Sequence, residues 1–526
     1  MEYIKGTARE QIVLFPEALD EYITEDNPVQ FIEAFVNSLD LNELQFKHGE
    51  LNETGRPPYD PRDLLNLYIY GYLNGIRSSR KLEKETRRNV ELMWLLRKLT
   101  PDFKTIADFR KDNKKAIKSV CKEFIFLCKK LSLFGGELVA IDGSKFRAVN
   151  SKKRNFNERK LERKIRELED KIDRYLEELD EHDEEERDVR TPEREEMKEK
   201  IEEFKKRRKD YKKLMQRLKE SEETQVSLTD PDSRSMVSNK RIEVGYNVQF
   251  TVDEKHKLIL DHEVTNEVKD QHQLSRMAKR AKRILGKKKI EVLADKGYYN
   301  AKEVKECVDN GIMPYIPEAE SRVSKKVNIP RPEFYEDKFR YDKGKDVYIC
   351  PEGAELTYRY TTVHYGKRMR IYKSRACRRC QSKELCTRQR SGRFMYRWEH
   401  EEVLEDMRKR VKEEKEKVKI RQCLTEHPIG TLKRGFNQGY FLTRGLEKTG
   451  AEMSLSVLAY NIKRVINIIG LEKLIDYVGI AKDLIFSYFL FLRRKIGLNI
   501  YKREINPLAL SNFRKKGQIR FSYHTV

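Results

Sequence analysis

The spacing of apolar positions changes along the chain, and each change predicts a different kind of element. Up to about residue 133 the apolar residues recur at helical intervals, as in Leu64, Leu65, Leu67, Tyr68, Tyr70 and Leu73 after the loop "GRPPYDP". Breaks at "GIRSS" and "KLTPD" divide this region, 1–133, into a compact helical bundle. Within it, "TIADFRKDNKK" (105–115) opens on Thr105 and Asp108, a capped helix start that runs into basic residues suited to a DNA groove or to a solvated face. From Leu138 the runs become strand-like: "LVAI", "GYNVQFTV" (245–252), "LILDHEV" (258–264) and "IEVLA" (290–294), with the helical stretch "DQHQLSRMAKRAKRIL" before the last. Strands interleaved with a helix predict an α/β core with a mixed sheet, its first part at 134–154 and 223–317 and its second part at 393–470.

Residues 155–222 interrupt that core. They are highly charged, yet apolar residues recur on a heptad, first Leu161, Ile165, Leu168, Ile172, Tyr175 and Leu179, then Met197, Ile201, Phe204, Tyr211, Met215 and Leu218, with Arg208 out of pattern. The acidic "DEHDEEERDVRTP" between the halves predicts an antiparallel coiled-coil hairpin. A second insertion, 318–392, is rich in Lys, Arg, Tyr and Gly. Helices resume over 393–470, including the dense apolar "AEMSLSVLAYNIKRVINIIG", and a partly helical basic tail, 471–526, carries "FRKKGQIR".

Charge narrows the range of partners. The chain has 526 residues, of which 38% are charged, with a net charge of +24. A polyanion fits this balance, because neutralising phosphates releases counterions, although a membrane surface or a ribosome would satisfy the charge equally. No secretory h-region opens the sequence, and the apolar run "LIFSYFLFL" (484–492) is too short to span a bilayer. These features predict a cytoplasmic, nucleoid-associated protein with no membrane partner.

Four of the eight cysteines lie in the second insertion: Cys350 in "YICPEG", and Cys377, Cys380 and Cys386 in "RACRRCQSKELC". The CxxC pair can place two thiolates on one ion, and Cys350 with Cys386 completes a tetrahedral, structural Zn(II) site in a small zinc-ribbon-like unit. Flanking arginines favour the thiolate form. The alternative is four cysteines that pack or stay free. Cys121, Cys128, Cys307 and Cys423 have apolar neighbours on helical stretches and are expected in the core.

Two aspartates end strand-like runs, Asp142 in "LVAIDGSKF" and Asp295 in "VLADKGYYN". A lone Asp there is commonly a turn former, but two in one α/β unit, joined by a third carboxylate, could hold metal. Glu426 in "RQCLTEHPIGTLKRGFNQGYF" is the candidate third acid, and Lys433 follows it at two helical turns, on the same face of a continuous helix. Pro428 between them predicts a kink or a helix start. Asp270 reads as a helix cap, Tyr298 and Tyr299 as core or groove-wall residues, and His427 as a helix-end hydrogen-bonding group.

"AIDGSKF", "VLADKGYYN" and "TEHPIGTLKRGF" resemble the three signature segments of DDE transposases from bacterial insertion sequences, whose catalytic core is RNase H-like. "GRPPYDPRDLLNLYIYGYLNGIRSSRKLEKE" resembles the helical domain that precedes that core. The resemblance implies that Asp142, Asp295 and Glu426 are the catalytic acids and that Lys433 is the lysine of a Y-x2-R-x3-E-x6-K signature. Position 422 is Gln where that signature has Arg, Arg421 stands one residue further away, and Val418 or Lys419 occupies the Tyr region. Glu399 and Glu401 in "RWEHEE" are the alternative third acids.

Cleavage by such a trio uses two Mg(II) or Mn(II) ions about 3.5 to 4 Å apart. Lys433, Arg434, Lys145 and Arg421 would hold phosphates. The expected activity is hydrolysis of DNA strands at element ends and transfer of the freed 3′ end into target DNA, by a homodimer that holds two ends together. A metal-dependent nuclease without strand transfer, and a DNA-binding regulatory protein derived from a transposase, are the rival readings.

Overall fold

The computed structural model describes residues 18–49, 57–150, 152–185, 192–221, 223–238, 241–318 and 331–479. Six α-helices come first among the described residues: α1 (Pro28–Ser38), α2 (Pro61–Leu73), α3 (Ser79–Thr86), α4 (Val90–Leu95), α5 (Phe103–Asp112) and α6 (Lys114–Lys130). Proline at the first position of α1 and α2 presets the helical φ, and Asn27 and Asp60 accept the backbone N–H of Val29 and Arg62. α5 begins at Phe103 rather than at Thr105. Asp102 caps it, accepting from the Lys104 and Thr105 amides at 2.8 and 3.0 Å.

The core sheet follows, from β1 (Leu138–Arg147). A short pair, β2 (Asn155–Asn157) and β3 (Gln225–Ser227), closes the base of two long helices, α7 (Glu158–Glu185) and α8 (Pro192–Glu220). Leu161 clusters with Leu218 near that base, and Ile172 with Ile201 further out, so the helices run antiparallel. Arg208, out of the apolar pattern, reaches across to Glu169 at 3.9 Å, and Lys212 reaches the same carboxylate at 3.0 Å. The side chain of Leu179 lies outside the described residues.

The sheet resumes with β4 (Arg234–Ser238), β5 (Arg241–Asp253), β6 (Ile259–Thr265), then α9 (Leu274–Leu285), β7 (Ile290–Leu293), α10 (Ala301–Asp309) and β8 (Ile312–Tyr315). Its order is β4-β5-β1-β7-β8, with β6 also on β5. β5 runs antiparallel to β1 and β6, whereas β1, β7 and β8 are mutually parallel. The core is therefore α/β, with a mixed sheet.

A second sheet, antiparallel throughout, is built from β9 (Arg340–Asp342), β10 (Val347–Ile349), β11 (Glu355–His364), β12 (Lys367–Lys373) and, after the short α11 (Lys383–Cys386), β13 (Phe394–Trp398). Helices α12 (Glu401–Glu413), α13 (Lys415–Gly430) and α14 (Leu446–Ile469) return the chain to the core. α14 is buried along most of its length and packs on α6, α2 and β6, joining the helical bundle to the sheet.

Burying a charge needs full compensation, and α14 supplies an example. Glu452, wholly buried, accepts from the backbone N–H of Leu442 and Thr443, the Thr443 hydroxyl and Arg77 Nη1. Arg77, from the "GIRSS" break, also donates to Gln438 Oε1 and the Tyr440 carbonyl, both at 2.9 Å. The break between α2 and α3 is thus where the bundle is tied to the chain following α13. Among the described residues no helix is long and apolar enough to cross a membrane. The tail from 480 lies outside them.

Candidate active site

Alternation along β1 sends Leu138 and Ala140 to one side of the sheet, where they pack with Leu293, Tyr315 and Leu424 of α13. Asp142 continues this set. The parallel register pairs Leu138 with Glu291 and Ala140 with Leu293, so extending it by two residues brings Asp295 beside Asp142. Asp295 caps the turn Lys296–Tyr298, accepting from the Gly297 amide at 2.9 Å.

α13 lies over the same side. Leu424, Thr425 and Pro428 are buried, and Arg421 is half-buried on their face. This rotation aims two donors at Asp142: the Thr425 hydroxyl at 2.8 Å and Arg421 Nη1 at 3.0 Å, both to Oδ2. Burial pushes the Asp142 carboxyl above its ordinary pKa, while Arg421 and Thr425 pull it down and the charge of Asp295 raises it further.

Glu426, next to Thr425, is exposed, and its carboxylate accepts from Gln422 at 2.7 Å. Gln422, the departure from the signature, thus occupies the carboxylate that the signature would make catalytic. Pro428 neither starts nor ends α13. The helix passes through it and widens three residues later into a π-helical turn, Thr431–Gly435. That turn directs Lys433 back to β1: its Nζ donates to Ser144 Oγ at 2.6 Å and lies over the Phe146 ring. Burial lowers the Lys433 pKa, and the nearby Asp142 opposes the shift. Arg434 is exposed.

The apolar run placed Asp142 at a strand end, but pairing with β5 carries β1 five residues further, to Arg147, and the other face of this stretch holds a network that periodicity did not reveal. Asp270 is no helix cap. Its Oδ1 accepts from Asn247 at 2.6 Å and Gln249 at 2.7 Å, and Lys145 Nζ lies 3.5 Å away. Gln249 in turn accepts from the Tyr298 hydroxyl, which links the turn after Asp295 to β5. A Cβ at Gly143 would stand 2.5 Å from Asp270 Oδ1 and 2.6 Å from Gln249 Nε2, so glycine after Asp142 makes room for this approach. The signal in the sequence was the polar pair Asn247 and Gln249 inside an otherwise apolar strand.

Glu399 and Glu401 are engaged elsewhere, near Arg368 at 3.4 Å and Arg408 at 2.9 Å, at the start of α12. His427 meets the Tyr460 hydroxyl at 3.3 Å. Tyr298 is buried, and Tyr299 is half-buried with its hydroxyl on Glu318.

Beside the second sheet, Cys350, Cys377 and Cys380 lie near enough to Cys386 for their charges to raise its pKa. Burial is the larger cause, and the thiol is pushed up to about 11 despite Arg393. The expected lowering by arginine is thus outweighed there. Cys121, Cys128 and Cys307 are buried as expected, whereas Cys423 is exposed, because α13 turns Leu424 inward instead. Among the described residues, no group of three or more His, Cys, Asp or Glu side chains is arranged to hold a metal ion.

Residues 17–112 match the family model "Transposase domain (DUF772)", and residues 349–466 match the model "Transposase DDE domain". Two stretches of the chain are thus similar to transposase domains. The second match includes Glu426 and Lys433; Asp142 and Asp295 precede it. No curated protein matches the chain. A cryo-EM structure of a piggyBac transposase synaptic complex with hairpin DNA aligns over 95% of this chain and 87% of its own, at 10% identity and a TM-score of 0.30. A likeness that loose carries no argument about mechanism.

Proposed function

We propose that this chain is a DNA transposase that hydrolyses phosphodiester bonds at element ends and transfers the freed strand into target DNA, on an RNase H-like core. One observation carries the reading: Asp142, in the middle of β1, adjoins Asp295, just past the end of the parallel neighbour β7, under a helix that bears the candidate third acid. The order β6-β5-β1-β7-β8, with only β5 antiparallel to its neighbours, supports the RNase H-like assignment.

The donor set suits a hard cation. Carboxylate oxygens are the ligands Mg(II) or Mn(II) prefers, and Asp142 already requires cationic compensation, at present from Arg421. Two such ions, when bound, would supply an activated oxygen nucleophile and stabilise the leaving oxygen. Asp142 would hold both ions, Asp295 and Glu426 one each. Glu426 joins the pair by turning away from Gln422, and Arg421, released from Asp142, becomes available to a DNA phosphate. Lys433 and Lys145, on opposite sides of β1, and Arg434 on the exposed π-helical turn would position the backbone.

The helical bundle serves as a DNA-binding region, although Arg110 of α5 is buried against Tyr72 and withdrawn from it, the α7–α8 arm as a coiled-coil device for assembly, and two copies hold two ends. In the second sheet, Cys350, Cys377, Cys380 and Cys386 offer four sulfur donors to a structural Zn(II), whose charge would favour the thiolates that burial opposes.

The test is a labelled duplex carrying a candidate end, incubated with the full chain and Mg(II) or Mn(II). Nicking and joined products that vanish in Asp142→Asn and Asp295→Asn are expected. Nicking without joined products would make the chain a nuclease, and full metal-dependent cleavage by both variants would overturn the assignment.

A further inference from the structure

The second sheet carries an aromatic surface that the proposed chemistry does not use. Strand pairing sets Tyr360, Ile371 and Tyr396 side by side across β11, β12 and β13. Ile371 is buried, yet the flanking tyrosines are 54% and 51% exposed. His364 stands on the same face by alternation, with its ring 6.4 Å from Tyr396, and Tyr365 at the hairpin turn is 88% exposed. Exposed rings clustered on one sheet face mark a binding surface rather than a core.

Cations outnumber anions around these rings, with Glu399 and Glu401 at the far end of β13. Lys367 and Lys373 share the face, lying over the rings of Trp398 and Phe394. From Tyr360 to His364 and from Lys367 to Lys373 neither strand carries an acidic residue. The surface also adjoins the candidate active site: a Cβ at Gly366 would lie 2.9 Å from Lys302 Nζ, and Lys302 opens α10 just after the Asp295 turn.

We infer that the Tyr360–Tyr396 face binds an unpaired DNA strand by stacking its bases on the tyrosines and holding its phosphates with Lys367 and Lys373. Every base has a π-face, so such a platform takes single strands with little regard to sequence, whereas paired bases in a duplex are stacked on one another and cannot reach it. This inference rests on the proposed DNA-processing function.

The experiment measures fluorescence anisotropy of the full chain with a labelled oligo-dT strand and, separately, with a labelled duplex. Tyr360→Ala/Tyr396→Ala should weaken single-strand binding by roughly 5- to 150-fold for each base left unstacked, with duplex binding unchanged. Tyr360→Phe/Tyr396→Phe, which keeps the rings, should retain binding within about twofold. Lys367→Ala/Lys373→Ala should flatten the salt dependence of single-strand binding by about 0.7 in slope for each phosphate no longer neutralised. Unchanged single-strand affinity in the double-alanine chain, or equal losses for strand and duplex, would overturn the inference. So would a change in oligomeric state by light scattering at unchanged affinity, which would assign the face to a second copy. Failure of the unaltered chain to bind any DNA would instead defeat the functional reading beneath it.

Discussion

Asp142 stands on β1 beside Asp295, which follows the end of β7, and one parallel register carries both to the same side of the sheet. Burial raises the Asp142 pKa, and the charge of Asp295 adds to that rise. A carboxyl whose folded pKa exceeds its unfolded value lends stability below the unfolded value and loses it as pH rises through the folded one. Ionised Asp142 is therefore a stability cost at neutral pH. Asp142→Asn should reduce metal-dependent cleavage by roughly 10²-fold or more while its melting temperature at pH 7.5 holds or rises. Loss of cleavage together with a lowered melting temperature would mark Asp142 as structural instead.

Gly143→Ala tests the network on the other side of the sheet. The new methyl would meet Asp270 and Gln249 at 2.5 and 2.6 Å, so the amide pair must move and the link to Tyr298 with it. Overpacking of this kind costs about 1 to 3 kcal/mol, which denaturant melts resolve. Cleavage should fall about as far as Asp270→Ala makes it fall, because the methyl meets side-chain ends and no backbone atom.

Acid sensitivity should trace in part to His262. Burial depresses its pKa to about 3, and its Nε2 meets Ser454 Oγ at 2.9 Å. Below pH 6.5 the unfolded chain takes a proton there that the folded chain refuses, so His262 stabilises above that pH and withdraws its contribution as pH falls toward 3. Its neighbour Asp261 acts oppositely: raised to about 6 by burial, it is protonated first in the folded chain. The His262→Gln chain should lose less melting temperature than the parent between pH 6.5 and 4. An equal or steeper fall would show that other groups dominate.

Arg77→Met should destabilise the chain by about 3 to 5 kcal/mol, because it leaves the Glu452 carboxylate buried without its cation. Chemical denaturation would measure the loss. Since α14 joins the bundle to the sheet, both should unfold at a lower denaturant concentration, whereas loss confined to one would argue that the pair does not join them.

Purified protein should contain one equivalent of zinc by elemental analysis, and Cys380→Ser should release it and lower the melting temperature. Substoichiometric zinc together with unchanged stability in Cys380→Ser would assign the four thiols to packing.

Local pattern determined a good deal of this protein. Short apolar runs located β1 and β7, although β1 continues past Asp142 to Arg147, and the heptads located α7 and α8, because burial writes itself into nearby residues. Buried Cys121 and Cys128 followed from the same logic. Polar contacts between distant segments leave no such periodicity. Whether α13 would aim Thr425 or Glu426 at Asp142 was decided by Leu424, which found apolar partners on the sheet. Asp102 rather than Thr105 opened α5, Asp270 met two amides from β5 rather than a helix end, and Arg77 found Glu452 across the whole chain. Each of those outcomes depends on which buried donor and acceptor meet once the layers close, and only the tertiary structure decides that.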